Sequence, residues 1–178
     1  LARREWRLDH NGACVALDDL SREEGLLRAV RPEARVVLDG KPFDIGGLSG
    51  QPNHAYLLPE WLESMKPGEQ AFRFVSWRPQ PITERLAWRR VRHHAPNVAW
   101  PPRGKGLRLE FAPPPGAGLE GLKVFVDYRL YDGLPLLSKQ VHIENGTDRP
   151  VEIDRLTAEV LAVVEHSNWA ETRGHVAQ

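Results

Sequence analysis

Alternation of apolar and polar side chains between residues 122 and 145 constrains the fold more strongly than any other feature of the sequence. Apolar or aromatic residues occupy every second position of the first run: Leu122, Val124, Val126, Tyr128 and Leu130. A period of two, rich in valine and aromatic residues, favours a half-buried β-strand over a helix. A second alternating run follows the turn dipeptide at 132–133 and ends at residue 145. We therefore predict a β-hairpin whose charged residues, such as Asp127 and Arg129, lie on its solvated face.

Similar short runs, separated by turn residues, continue along the whole chain. Asn11-Gly12 and Asp39-Gly40 each lie between apolar runs, and both dipeptides are strong hairpin signals. The chain has 15 glycines and 15 prolines, which is more than a helical bundle tolerates. We therefore predict a single all-β domain over residues 1–178, an antiparallel β-sandwich of about ten strands with one or two short helices.

The secondary structure of three segments is less clearly defined by the pattern. Residues 25–30 fit either one helical turn or a strand. Residues 82–94 contain arginine, leucine and alanine, which suit a helix, but the flanking β-runs and prolines favour a strand. Residues 151–164 predict one long strand, broken by a bulge near Thr157.

The charge and the cysteine content restrict the partners and cofactors that the chain would use. The formal net charge is zero, with 24 basic and 24 acidic residues, so we predict neither a nucleic acid nor a membrane surface as partner. No apolar run approaches the ~18 residues that would span a bilayer. The single cysteine, Cys14, excludes an internal disulfide and a cysteine-based zinc cage. We expect a soluble protein of unknown compartment, exported if a leader was removed.

Several short patterns approach catalytic or cofactor motifs but lack an essential part. The glycines at 116–121 have dinucleotide-motif spacing, yet prolines precede them and a predicted strand follows, where the motif requires a helix. Residues 47–51 lack the last glycine of a nucleophile elbow. His142 and Glu144 lack the cysteine pair of a zinc deaminase. The carboxylates single out no glycosidase-like pair. We therefore predict no catalytic residue, no cofactor and no metal, with a metal site built from distant histidines as the alternative.

An irregular segment, residues 46–65, is the best candidate for a binding site. It interrupts the strand pattern with three glycines and two prolines, and its end predicts a short amphipathic helix that begins near Pro59. Amide, imidazole and phenol groups bind sugar hydroxyls, and aromatic rings cover the apolar face of a pyranose. The candidate carbohydrate-binding residues are Asn53, His54, Tyr56, Trp61 and, in a separate loop, Trp100. The alternative is that Tyr56 and Trp61 are core residues that anchor the loop.

The hairpin also carries a resemblance to a known family. The relevant residues are a tyrosine–aspartate–glycine strand end at 127–135, Lys139, and a strand ending in asparagine at 141–145. These residues resemble the sandwich domain that precedes the catalytic barrel in family 36-type α-galactosidases and related glycoside hydrolases. The resemblance implies a β-supersandwich like that of galactose mutarotases, packed on a (β/α)₈ barrel that holds the catalytic carboxylates.

This resemblance leads to three hypotheses about function. The first is a non-catalytic sandwich domain of a glycoside hydrolase, which shapes the substrate site or the assembly. Because the chain is short for a supersandwich, we expect a fragment or an N-terminal domain. Its partners would be carbohydrate, a downstream barrel, or a second copy bound through sheet edges. The second hypothesis is a free-standing carbohydrate-binding module. The third is a mutarotase-type sugar epimerase, with His142 as acid and Glu165 as base.

Overall fold

The structure is a computed structural model that describes residues 1–83, 93, 99–134 and 136–164. Two 3₁₀ helices, Leu8–His10 and Pro59–Ser64, accompany twelve strands in this part of the chain. The strands are β1 (Ala2–Arg7), β2 (Ala13–Asp19), β3 (Glu24–Gly25), β4 (Leu27–Ala29), β5 (Ala34–Leu38), β6 (Lys41–Ile45), β7 (Ala71–Gln80), β8 (Gly104–Ala112), β9 (Leu122–Tyr131), β10 (Leu137–Asn145), β11 (Ile153–Thr157) and β12 (Ala162–Val163). Most of the predicted strand at 82–94 lies outside the described residues.

The strands form three sheets. The largest is curled and contains seven strands in the order β10-β9-β8-β7-β6-β5-β11. A second sheet contains β1, β2 and β3, and β12 pairs with β4. β6 and β7 pair in parallel, because the long connection between them returns the chain to the same end of the sheet. The all-β, sandwich-like fold predicted from the sequence is confirmed, and this parallel pair makes its large sheet mixed.

The two predicted turns lie where expected. Asn11 and Gly12 have φ values of 57° and 62°, and Asp39 and Gly40 have φ values of 49° and 75°. Two successive residues with positive φ give a turn whose twist matches that of the flanking strands. The β1–β2 and β5–β6 hairpins are therefore confirmed.

The hairpin of β9 and β10 is also confirmed, with Leu137 opposite Leu130 and Asn145 opposite Leu122. Its solvated face, however, was predicted wrongly. Asp127 and Arg129 are 2% and 7% exposed, so the middle of β9 is buried on both faces. β9 lies between β8 and β10, and side chains from both neighbours cover its polar residues.

The main core fills the inside of the curled sheet. It joins buried residues of β5–β9 with side chains from β1, and its largest fully buried members are Phe72, Phe111, Leu38, Ile45 and Leu109. A second apolar cluster lies beside β2 and contains Ala13, Val30, Leu48, Leu62 and Met65. This second cluster anchors the irregular 46–65 segment, whose predicted helix is the 3₁₀ helix Pro59–Ser64.

Two of the unclear segments are resolved by the sheets. Residues 25–30 form part of β3 and β4 rather than a helical turn. Residues 151–164 form two strands in different sheets, β11 beside β5 and β12 beside β4, so the prediction of one long strand is wrong. Glu159 lies in the connection between these two strands, where its carboxylate pairs with Arg4 and Lys139.

In the described part of the chain, no helix has the length and apolar character needed to cross a membrane.

Candidate functional site

An open groove of about 490 Å³ lies beside the end of the β9–β10 hairpin. We call it the hairpin groove, and its principal lining residues are Thr83, Trp100, Arg129, Tyr131, Ser138 and Gln140. Because side chains alternate along a strand, Arg129 and Tyr131 project from the same face of β9. Ser138 lies opposite Arg129 in the ladder, so β10 contributes its own polar side chains to that face.

Two aromatic rings form one wall of the hairpin groove. Trp100 stacks on Tyr131 with the ring centroids 6.1 Å apart and the planes 27° apart. The Tyr131 hydroxyl lies 3.4 Å from the Ser138 hydroxyl, which places two polar groups at the edge of the stacked rings. An apolar surface with hydroxyl groups along its rim suits a ligand that has one apolar face and several hydroxyls.

Arg129 supplies the charge of the hairpin groove. It is 7% exposed, and its buried Nε has no hydrogen-bond partner among the residues that the structure describes. The neighbouring carboxylate, Asp127, accepts hydrogen bonds from Arg108 Nε and Nη2 at 2.6 and 2.7 Å. Burial alone would raise the pKa of Asp127, but Arg108 outweighs that effect and lowers it. Asp127 is therefore ionised, and its main partner is Arg108.

The irregular 46–65 segment is held by Gln51, which the sequence did not single out. Its side-chain carbonyl accepts the Val30 amide at 3.0 Å, and its Nε2 lies within 3.1 Å of the carbonyl oxygens of Arg28, Asn53 and Tyr56. Asn53 Oδ1 accepts a hydrogen bond from the Ala55 amide at 2.8 Å. This residue, which was predicted to bind sugar, therefore closes a local turn. Both amide side chains organise the loop.

The other predicted residues of this segment are divided between packing and exposure. Tyr56 packs on Trp61 with the ring centroids 5.3 Å apart, and Trp61 packs on the second apolar cluster. His54 is exposed, with Nδ1 3.4 Å from an Arg31 nitrogen. Of these four residues only Trp61 packs on the second cluster; Tyr56 lies beside it and is 50% exposed, and Asn53 and His54 are exposed on the loop. Trp100 lies apart from them, in the hairpin groove.

A buried charged cluster lies between β1 and the β9–β10 hairpin, and sequence reasoning missed it. We call it the Glu33 cluster, and it contains Arg4, Trp6, Glu33, Tyr128, Lys139 and Glu159. Trp6 Nε1 and the Tyr128 hydroxyl donate to the Glu33 carboxylate, and burial beside that charge raises the pKa of Tyr128 well above its ordinary value. One signal was available: Lys139 interrupts the apolar inner face of β10.

The Glu33 cluster has little capacity left to bind a substrate. Glu33 is 1% exposed, with Arg4 Nη2 and Lys139 Nζ both 3.4 Å from its Oε2. Glu159 contacts the same two cations at 3.1 and 3.0 Å from the more exposed side. Two cations and two carboxylates therefore balance, and both oxygens of Glu33 are occupied. The arrangement fits a structural clamp better than a catalytic carboxylate.

Of the pair proposed for an epimerase, only His142 lies among the described residues. His142 Nε2 lies 3.0 Å from Asp127 Oδ2, but it is not aligned for a hydrogen bond, and Arg108 already holds that carboxylate. Glu165 lies outside the described residues. Among the residues that are described, no three His, Cys, Asp or Glu side chains are placed to hold a metal ion.

The fold and the groove together define an all-β, sandwich-like domain with an aromatic and cationic groove at the end of one hairpin. Comparison of the chain with models of protein families, with curated proteins and with solved structures gives no match. The resemblance to a glycoside hydrolase domain therefore stays a prediction that rests on the hairpin residues.

Proposed function

We propose that this domain binds carbohydrate in the hairpin groove and acts as the non-catalytic β-sandwich domain of a glycoside hydrolase. The observation that supports the proposal is the stacked pair of Trp100 and Tyr131 beside hydroxyl, amide and guanidinium groups. Aromatic rings cover the apolar face of a sugar ring, and the polar groups bind its hydroxyls. A groove of about 490 Å³ lies in the size range of small-molecule sites.

The lining of the groove supports a binding role rather than a hydrolytic one. Glycoside hydrolysis requires two carboxyl groups placed across the scissile bond. The described lining of the hairpin groove contains no aspartate or glutamate. In the enzymes that the hairpin resembles, the catalytic carboxylates belong to a separate barrel, so a domain of this kind would hold or orient the sugar. A free-standing carbohydrate-binding module would use the same groove without a barrel.

Calorimetric titration of the purified chain tests the proposal. A panel of gluco- and galacto-configured oligosaccharides is titrated into the wild type and into Trp100→Ala and Trp61→Ala variants. We expect Trp100→Ala to lower the affinity by about tenfold, as loss of one stacking surface implies. Trp61→Ala is the matched control, because Trp61 packs on the second apolar cluster.

Two results would contradict the proposal. One is the absence of binding to every sugar of the panel at millimolar concentration. The other is binding that Trp100→Ala leaves unchanged while circular dichroism shows both variants to be folded. Binding that fails with Trp61→Ala alone would assign the sugar to the irregular 46–65 segment instead.

A further inference from the structure

We propose that the hairpin groove selects an acidic sugar, whose anionic substituent is bound by the guanidinium group of Arg129. This inference rests on the proposed carbohydrate binding and specifies the class of sugar. It begins from the position of Arg129 on β9, where its side chain lines the groove next to Tyr131. Arg129 is 7% exposed, so its charge is largely withdrawn from water.

This arginine has hydrogen-bonding capacity that the described residues do not meet. Its Nε is buried without a hydrogen-bond partner among the described residues, as are Arg4 Nε and Arg73 Nη1, but of these three arginines only Arg129 lines the groove. A buried donor of this kind is costly unless something pairs with it, and native structures contain few of them. Because Nε itself is closed to solvent, a ligand anion in the groove would pair with the terminal nitrogens of the guanidinium, which make no hydrogen bond or ion pair among the described residues. Carboxylates and sulfates match the planar fork of a guanidinium with two parallel hydrogen bonds.

The charge around the groove is predominantly positive. Asp127 is close enough to Arg129 for its pKa to be lowered by that charge, but both of its oxygens accept hydrogen bonds from Arg108. His142 adds a further contact at 3.0 Å. Lys139 lines the groove as well, yet its ammonium group turns to Glu33 and Glu159 on the other face of β10. The described lining therefore presents one cation and no carboxylate of its own.

Polar and aromatic side chains lie on either side of Arg129 in the groove. Ser138 lies directly opposite Arg129 in the ladder, and Gln140 follows on the same face of β10. Their hydroxyl and amide groups are placed to bind sugar hydroxyls next to the anion. On the other side of Arg129, Tyr131 and Trp100 supply the stacking surface. Anion, hydroxyls and ring face would thus meet three different parts of one groove.

The test compares acidic sugars with neutral counterparts of the same shape. Galacturonate and glucuronate, their methyl esters, the parent hexoses and galactose 6-sulfate are titrated into the chain, with acetate as an anion that has no ring. We expect each acidic sugar that fits to bind at least about tenfold more tightly than its neutral counterpart. The uronate and sulfate arms identify which anion the groove takes. Acetate binding as well as the best acidic sugar would overturn the inference.

Variants of Arg129 assign the preference to this residue. Arg129→Gln should abolish the advantage of the acidic sugar, and Arg129→Lys should retain part of it. Arg35→Gln is the matched control for net charge. Arg35 is an exposed residue of β5 and pairs with Asp44 of β6 at 2.9 Å. Equal affinity for acidic and neutral sugars would overturn the inference but leave the proposed function standing. Binding of no sugar at all would overturn both.

Thermal unfolding gives a second measurement that does not depend on a ligand. If Arg129 lacks a partner in the free protein, Arg129→Gln should keep or raise the melting temperature. A fall of the melting temperature as large as that of Arg108→Gln would show that Arg129 is a structural partner of Asp127, and the inference would then be wrong.

Discussion

Replacement of Glu33 by glutamine is expected to destabilise the fold strongly. The substitution keeps the shape of the side chain but removes its charge and one acceptor oxygen. In the structure Trp6 donates to Oε1 at 2.9 Å, and Oε2 receives the Tyr128 hydroxyl, Arg4 Nη2 and Lys139 Nζ. A glutamine amide placed at either position would point an NH₂ group at groups that are themselves donors.

The size of the effect follows from the burial of the two cations. The side chains of Arg4 and Lys139 are 5% and 9% exposed, so water cannot replace the lost carboxylate. Removal of one partner from a buried ion pair costs about 3–5 kcal/mol. Glu159→Gln removes a carboxylate from the same two cations, but Glu159 is 37% exposed. Solvent screening reduces that loss to about 1 kcal/mol or less.

Urea denaturation followed by tryptophan fluorescence measures both variants against the wild type. With a slope of about 2 kcal/mol per molar urea, Glu33→Gln should lower the midpoint by about 1.5–2.5 M and Glu159→Gln by about 0.5 M or less. A midpoint for Glu33→Gln equal to or above that of Glu159→Gln would refute the reasoning. It would mean that the buried cations find other partners when Glu33 loses its charge.

Two further substitutions test other parts of the structure. The pKa of Asp127 lies below its ordinary 3.8, so its ionised form contributes stability above that pH, which is lost as the pH falls through the folded value. Arg108→Gln should therefore move the acid-unfolding midpoint to higher pH, and an unchanged fluorescence titration would contradict this. Gly47→Ala should destabilise by about 1–3 kcal/mol, because φ is 75° and a Cβ would lie 2.7 Å from Pro32 Cα. Gly40→Ala, with the same φ and open space, should lower the urea midpoint less, and equal shifts would refute the steric argument.

The sequence predicts the strands and turns well where the signal is local. Period-two alternation and positive-φ dipeptides located the hairpins of β1–β2, β5–β6 and β9–β10, because both signals arise within a few residues of the chain. It could not show that β9 is buried on both faces. That burial depends on Arg108 from β8 and His142 from β10, which lie beside Asp127 only after the sheet has formed.

The candidate site was predicted only in part for the same reason. Trp100 was predicted as a carbohydrate-binding residue from its residue type alone, and it does line the groove. Trp61 fits the same description, yet it packs on the second apolar cluster, with the half-exposed Tyr56 beside it. Composition does not distinguish an aromatic ring in a groove from one that anchors a loop. Arg129 was predicted to lie on the solvated face of the hairpin, since a charged strand residue is ordinarily solvated, and Tyr131 belonged only to the family resemblance.

Among the described residues, the buried side chains of Arg4 and Arg129 show how a structural cation differs from one that suits a ligand. Both have a buried Nε without a described hydrogen-bond partner, but Arg4 has Glu33 and Glu159 within 3.4 and 3.1 Å, so folding itself satisfies its charge. Arg129 makes no ion pair among the described residues, and the Asp127 carboxylate is held by Arg108 at 2.6 and 2.7 Å. The first arrangement stabilises the fold whether or not a ligand is present. The second leaves a charge that a ligand anion can pair with, so we assign specificity to Arg129 and stability to Glu33.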